Sequence, residues 1–371
     1  MLKQLIQLSR RHWWFSILFL LCMAAQAPAN AEPQLRVAIE DGVRQVKIGS
    51  STNAVVRDGT GRVLGEMAAM NGLDAQPKVG GVALGSWQAN QIWVEPTGSG
   101  YVWIGSSWYR GRTQIVPTKK GLTAVNHVDL EQYLYSVLGS EMSASWPAEA
   151  LKAQAVAARS YVLYKRQTSA KSLYDVGDTT TWQVYKGVQT EAPGTHTAVN
   201  STAGQVMTYN GKIILAVFHA ASGGHTENVE DIWSQPLPYL RGVPDYDRGT
   251  PTYQWVKTFS KSELSQLLGV SNVSALIPER TSRYGRILRM KVIGSSGTKY
   301  VSGSQLSQAL KLKSTRFTIT STPTTFQING AGFGHGLGLS QWGAYNLANQ
   351  GVNYQQILGH YYQGIALARI P

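Results

Sequence analysis

Residues 139–161 read GSEMSASWPAEALKAQAVAARSY. Pro147 belongs in the first turn of a helix, where its missing N–H costs nothing. The alanine-rich run after it carries Leu151, Ala155, Ala158 and Val162 on one face as a buried stripe. Lys152, Arg159 and Arg166, seven residues apart, fall on a neighbouring face. Upstream, Asp129 with Gln132 three residues later caps another helix bearing Leu130, Leu134 and Val137, which Gly139 is expected to stop. Glu141 then sits on a short connector between the two helices, close in sequence to apolar Met142 and Trp146. Burial there would raise its pKa, as a general acid working near neutrality requires. Set against this, a lone glutamate more often serves as a solvated or capping group.

Before these helices the pattern is β. From Leu35 to about Lys120 short apolar runs alternate with glycine turns. Ala54-Val55-Val56 leads into Asp58-Gly59-Thr60-Gly61 and resumes at Val63-Leu64, a hairpin signature. Ile92 with Val94 and Val102 with Ile104 mark further strands. After the helices, residues 173–245 return to strands and loops, with Lys212 to Phe218 as the clearest strand. Composition shifts again around 255–322. There Ser260 and Glu263 make a capping box before Leu264, Leu267 and Leu268, and Gly269 ends that helix. Leu288, Met290 and Val292 alternate with Arg289 and Lys291 as a one-sided strand. Ser321 to Thr325 reads as a linker into a glycine-rich tail.

The 371 residues are enough for two domains, or for one domain with insertions. With 18 Tyr, 11 Trp and 7 Phe the chain is too aromatic to be disordered, and no period of 20–50 residues suggests a solenoid or propeller. Residues 1–31 have the form of a secretory signal. Lys3, Arg10 and Arg11 precede an apolar stretch from Trp13 to Ala25, and Ala29-Asn30-Ala31 offers a cleavage site before Glu32. The apolar core is short for a membrane span, so no stable insertion is expected after cleavage. Losing three basic residues from the formal +13 leaves +10. Cys22, the only cysteine, goes with the signal, which excludes a disulfide and a thiolate metal site. For an exported basic protein an acidic envelope polymer is a better partner than nucleic acid.

Two more segments carry candidate chemistry. In FHAASGGHTENVEDIW, 218–233, His219 and His225 flank Ser222-Gly223-Gly224, with Glu227, Glu230 and Asp231 nearby. Zinc ligation fits the residue types, but the spacing matches no helical metal motif. Ser222 with a histidine lacks the GxSxG elbow of a nucleophile. In NGAGFGHGLGLSQWGA, 329–344, Gly330, Gly332, Gly334, Gly336 and Gly338 occupy alternate positions. An extended segment would present them as a bare backbone strip, against which another strand or an extended glycan packs. His335 and Gln341 are the polar groups left to point into a cleft. The spacing is not that of a dinucleotide fingerprint.

Together these segments closely resemble the SpoIID/LytB family. The resemblance begins at Tyr109-Arg110-Gly111 and VNHVDLEQYL, 125–134. It continues through the SEM motif, ALKAQAVAARSY, YDVGDTTTWQVYKG at 174–187, SGGHTEN and GFGHGLGLSQWGA. It implies an exported, secreted or periplasmic cell-wall protein acting on peptidoglycan. The enzyme implied is a lytic transglycosylase that cuts the MurNAc–GlcNAc β-1,4 bond of denuded glycan strands. Glu141 matches the family's catalytic acid. Lys152, Gln154, Arg159, His219, Ser222, Gly223, Gly224, His335 and Gln341 match other motif positions and are candidates for substrate binding. A zinc held partly by cysteines occurs in some members; here no cysteine survives processing, and no metal or other cofactor is expected. Two alternatives stay open. One is a non-catalytic enhancer of an N-acetylmuramoyl-L-alanine amidase. The other is ordinary hydrolysis, with Asp175, Asp178 or Glu227 as the second carboxylate. The expected architecture is α+β: a signal peptide at 1–31, a β-rich region at 32–108, a mixed α/β catalytic domain with a glycan-binding cleft built from 109–254 and 325–371, and an inserted small α/β module at 255–324.

Overall fold

A computed structural model describes residues 33–233 and 235–370. The expected signal segment and Cys22 lie outside the described residues. The fold is α+β. Among the described residues no helix is long and apolar enough to cross a membrane.

Two sheets build the N-terminal part. In the larger, Gln34–Val43 pairs antiparallel with Gly121–Asp129 and parallel with Val176–Gly177. The sheet continues through Arg112–Thr118, Ile92–Pro96 and the Ala54–Asp58/Val63–Met67 hairpin. The smaller runs through Ser107–Tyr109, Val102–Ile104, Val46–Ser50, Leu73–Lys78, Gly81–Leu84 and Trp87–Ala89. Their inner faces share one core containing Val37, Ile48, Ala75, Ile92, Val94 and Ile115. Burial alternates along Ala54–Asp58 and Val102–Ile104, as the pattern predicts, whereas Gly121–Asp129 is buried on both faces from Leu122 to Asn126. The larger sheet takes strands from both sides of residue 108 and delivers the chain from Asp129 straight into the first helix.

That helix, Leu130–Glu141, begins as expected: the Asp129 carboxylate accepts from the N–H groups of Glu131 and Gln132. It does not stop at Gly139. The turn at Val188–Thr190 crosses it there, and a Cβ on Gly139 would overlap the Thr190 carbonyl oxygen. Glycine at this position permits close approach, and the helix runs two residues further. Glu141 is therefore its last residue, not part of a connector, and the chain leaves in extended conformation at Met142.

The long helix spans Ala148–Thr168, with Pro147 at the N-cap. The expected stripe of Leu151, Ala155, Ala158 and Val162 packs into the sheet core. The burial is wider than one stripe, however. Ala150, Ala153, Val156, Ala157 and Tyr161, on the opposite face, pack into a second core with Val217, Leu337, Leu339, Ala344, Ile357, Leu358 and Tyr361. Small side chains all round let neighbours approach from both sides, so the helix is a partition between two cores. Arg159 is fully buried inside this partition, held by Glu131 at 2.8 Å and by the Gln205 carbonyl at 3.1 Å. The expected basic surface stripe thus does not form: Lys152 is paired with Glu149 at 2.7 Å, and only Arg166 is exposed.

Between Trp255 and Ile328 the chain forms a third core of its own. Lys261–Leu268 is capped by Ser260 and ended by Gly269 in the left-handed conformation, although Leu267 faces outward. Ile287–Gly294 is the one-sided strand, flanked by Ala275–Thr281 and Gly297–Ser302. Two expectations fail nearby. Residues 321–325 are the turn of a hairpin between Phe317–Ser321 and Thr325–Ala331, not a linker. Lys212 to Phe218 is not one strand but two short ones, Lys212–Ile213 and Phe218–His219, separated by chain that packs into the second core.

Candidate active site

Glu141 opens into a cavity of about 570 Å³, lined also by Tyr161 and Lys165 of the long helix, Trp182 and Val184, Phe218, Trp233 and His335. The loop before Tyr185 is anchored from behind. Gln183 is buried, accepting from the Tyr133 hydroxyl at 3.1 Å and donating to the Ala158 carbonyl at 3.2 Å. Anchored this way, the loop directs the Val184 N–H to Glu141 Oε1 at 3.0 Å. The other carboxylate oxygen accepts from Gln341 Nε2 at 3.4 Å.

Gln341 reaches Glu141 across 200 residues of chain because of a short parallel pairing, Phe218 with Leu339 and His219 with Ser340. Ser340 caps the Gln341–Asn349 helix, accepting from Gly343 N–H. Trp342 and Tyr345 pack on Trp146, tying this helix to the start of the long one. Burial raises the Glu141 pKa above its ordinary value, against the lowering effect of the Val184 and Gln341 donors and the Lys186 charge. Its place at a helix C-terminus, the negative end of the dipole, acts in the same sense as burial. A carboxyl group that keeps its proton nearer neutrality, at the wall of a cleft, is equipped to donate it.

His335 lines the same cavity and is neutral, because burial and Arg286 push its pKa down to about 4. Its Nδ1 accepts from Leu337 N–H at 3.0 Å. His219 stands behind it, ring centroids 5.4 Å apart, buried and hydrogen-bonded through Nδ1 to the Leu337 carbonyl. The remaining candidates face elsewhere. Ser222 is fully buried and donates to Asp245 at 2.5 Å; the Gly223 N–H donates to Asp247 at 2.6 Å. Gly223 and Gly224 have positive φ and shape this turn. Gln154 is fully buried, and among the described residues neither end of its amide finds a partner. Lys152 lies against Tyr354, and Arg159 braces Glu131. Of the sequence candidates, the structure brings together Glu141, Gln341 and His335.

The alternate glycines do not make a bare extended strip. Gly330 lies in a strand, but Gly332, Gly334, Gly336 and Gly338 all have positive φ. A Cβ on any of the four would collide with Ala221–Gly223, His219, Arg286 or Val217. The close neighbour is this protein's own chain. Arg286, brought in by the third core, fills the space beside Gly336 and donates to the Gly334 carbonyl at 2.9 Å.

Neither Asp175 nor Glu227 lines the cavity. Asp175 pairs with Arg36 at 2.6 Å, and Glu227 is buried 3.7 Å from Arg286. Asp178, its pKa pushed up to about 6 by burial, lines a neighbouring hollow that meets the cavity at Thr180 and Val184. The zinc that the family resemblance raises finds no fitting donor set among the described residues. His225 stacks on Tyr284, away from the buried His219, and among the described residues no three His, Cys, Asp or Glu side chains converge.

Sequence reasoning missed Val184, Lys165, Trp182 and Trp233. Lys165 follows Tyr161 by one helical turn, and that spacing was the available signal for a shared face.

Residues 118–209 match the sequence model of a family described as Stage II sporulation protein, and residues 244–338 match a domain of unknown function (DUF8618). The chain is 34% identical over 265 residues to Stage II sporulation protein D of Bacillus subtilis (strain 168), covering 66% of this chain and 76% of that protein. The chain belongs to the SpoIID/LytB family. The chain is also 35% identical over 280 residues to an uncharacterized protein of Brachyspira hyodysenteriae, covering 73% of this chain and 75% of that protein. The amidase enhancer of Bacillus subtilis is 32% identical over 290 residues, 63% of this chain and 40% of that protein. Glu141 and Val184, but not Gln341, fall inside the region matched by the sporulation family model.

Proposed function

We propose that this SpoIID/LytB protein works on the cell wall outside the cytoplasmic membrane, as a lytic transglycosylase that cuts the MurNAc–GlcNAc β-1,4 bond of peptidoglycan strands. The observation carrying this reading is a carboxyl group of raised pKa in the cavity, with no second carboxylate in the lining among the described residues. Hydrolysis by the usual pair of carboxylates needs the second one; an internal nucleophile does not.

The Glu141 carboxyl donates its proton to the glycosidic oxygen as the bond from MurNAc C1 breaks. The electron pair leaves with that oxygen, which becomes the GlcNAc 4-hydroxyl. The MurNAc 6-hydroxyl attacks the electron-poor C1, and the Glu141 carboxylate takes its proton. The acid is restored, no water is consumed, and the new end is 1,6-anhydroMurNAc. Val184 N–H and Gln341 hold the carboxylate between the two transfers.

Incubating the protein with amidase-treated strands and weighing the products tests this. Anhydro ends support it; reducing MurNAc ends mean hydrolysis and direct attention to Asp178. Kinship with the amidase enhancer favours a second reading, in which the protein binds peptidoglycan and stimulates an amidase without cutting strands. Stimulation of an added amidase with no glycan cleavage would decide for it. Export also belongs to the proposal: N-terminal sequencing of the secreted protein should begin at Glu32, after the signal peptide of residues 1–31. The catalytic body is assigned to 109–254 with 325–371, following the β-rich 32–108, and 255–324 to the inserted module.

A further inference from the structure

Besides Glu141, the described lining of the cavity carries one cationic side chain, Lys165, and the mechanism does not use it. Lys165 Nζ lies 5.5 Å from the ring centroids of both Tyr161 and Trp182. Those faces attract an ammonium but offer no lone pairs to its protons. Among the described residues no carboxylate forms an ion pair with it, whereas Lys152, a few turns back on the same helix, pairs with Glu149. Half-burying an ammonium is costly unless an anion or strong acceptors compensate. Burial accordingly lowers the Lys165 pKa. The arrangement is that of a cation kept available for an anionic group entering the cavity.

The glycan that the proposed function brings here carries one such group at a variable position. The lactyl ether on C3 of MurNAc ends in a neutral amide where a stem peptide is attached, and in a carboxylate where the peptide has been removed. We propose that Lys165 is a specificity-determining residue that binds the free lactyl carboxylate of MurNAc, so that the cavity prefers strands stripped of peptide. This rests on the reading that the cavity holds glycan. A hydrogen bond to a charged partner is roughly twice as strong as one between neutral groups, and that difference is what the site would use to discriminate.

The test compares two ligands of equal length: glycan strands freed of peptide by an amidase, and the same strands with each lactyl carboxylate coupled to methylamine. Binding is measured with the full exported chain carrying Glu141→Gln, so that nothing is consumed. The carboxylate strand should bind about 10- to 100-fold more tightly. Lys165→Met should bring the ratio near one, and Lys165→Arg should retain most of it; Lys165→Gln replaces the Met variant if that does not fold. A ratio near one with Lys165 in place, or an undiminished ratio in Lys165→Met, overturns the proposal. Turnover of the unaltered protein is assayed separately. If the ratio behaves as expected but no strand is cut, the lytic reading falls and the role of Lys165 stands. Cutting without discrimination leaves the reverse. Failure to bind either strand overturns both.

Discussion

In the proposed reaction Glu141 alone carries the proton transfers, and its environment works against its ionisation. Replacing it with Gln keeps the shape and removes the proton, so turnover should fall about 10²–10⁴-fold while strands still bind, measured by anhydro-product release against pull-down of strands. The same substitution should reveal a stability cost. The folded-state pKa is raised above the ordinary 4.5. The stabilisation from the protonated form is therefore complete below pH 4.5 and is lost as pH rises through the folded-state pKa. Melting temperatures of Glu141→Gln and the parent should coincide in acid and separate in favour of Gln toward neutrality. Gln341 makes the opposite contribution, since its donor favours the carboxylate. In Gln341→Ala the alkaline limb of the kcat/KM profile should move to higher pH, and an unmoved limb would show that the hydrogen bond does not form in solution.

The helix ending at Glu141 and the long helix after it obey local rules at their starts and packing rules afterwards. Asp129 caps the first as its spacing suggested, but Gly139 is occupied with letting Thr190 close over the helix. On propensity alone Gly139→Ala would gain about 1 kcal/mol. Here it should instead destabilise by about 1–3 kcal/mol, because the methyl group has to displace a backbone carbonyl; urea denaturation gives the sign directly. The long helix repeats the lesson. Its alanines were legible as an apolar stripe, but not its burial on two sides, because alanine fits a surface helix and a helix–helix partition equally well. Arg159 misled for the same reason: on a helical wheel it lines up with exposed Arg166, while its partner Glu131 comes from the neighbouring helix.

In the whole molecule, the third core is joined to the site through Arg286, which reaches the Gly334 and Ser222 carbonyls and the buried Glu227. Arg286→Met should cost about 3–5 kcal/mol, because it leaves Glu227 buried without its counter-charge. Adding Glu227→Gln should restore part of that, and a chemical-denaturation cycle over the four proteins measures the coupling. Net charge acts over longer range. Binding to purified peptidoglycan should weaken as ionic strength rises past about 0.1 M, where the Debye length is about 10 Å; salt-independent sedimentation would assign the affinity to the cavity alone.

The α+β class, the hairpin at 54–67, the helix caps at Asp129 and Ser260 and the strand at 287–294 were all legible because each depends on residues a few positions apart. Glu141, Gln341 and His335 were legible as candidates from their motifs, though not as neighbours. Their meeting depends on a two-residue parallel pairing between segments 120 residues apart in the chain, roughly, and on Gln183 holding Val184 in place. Four glycines expected to line a strip instead adopt left-handed turns, since what presses on them is distant chain and Arg286. Local pattern specifies which face of an element is apolar. Which partner covers that face, and which polar groups become buried with it, follows from long-range packing that no window of sequence contains.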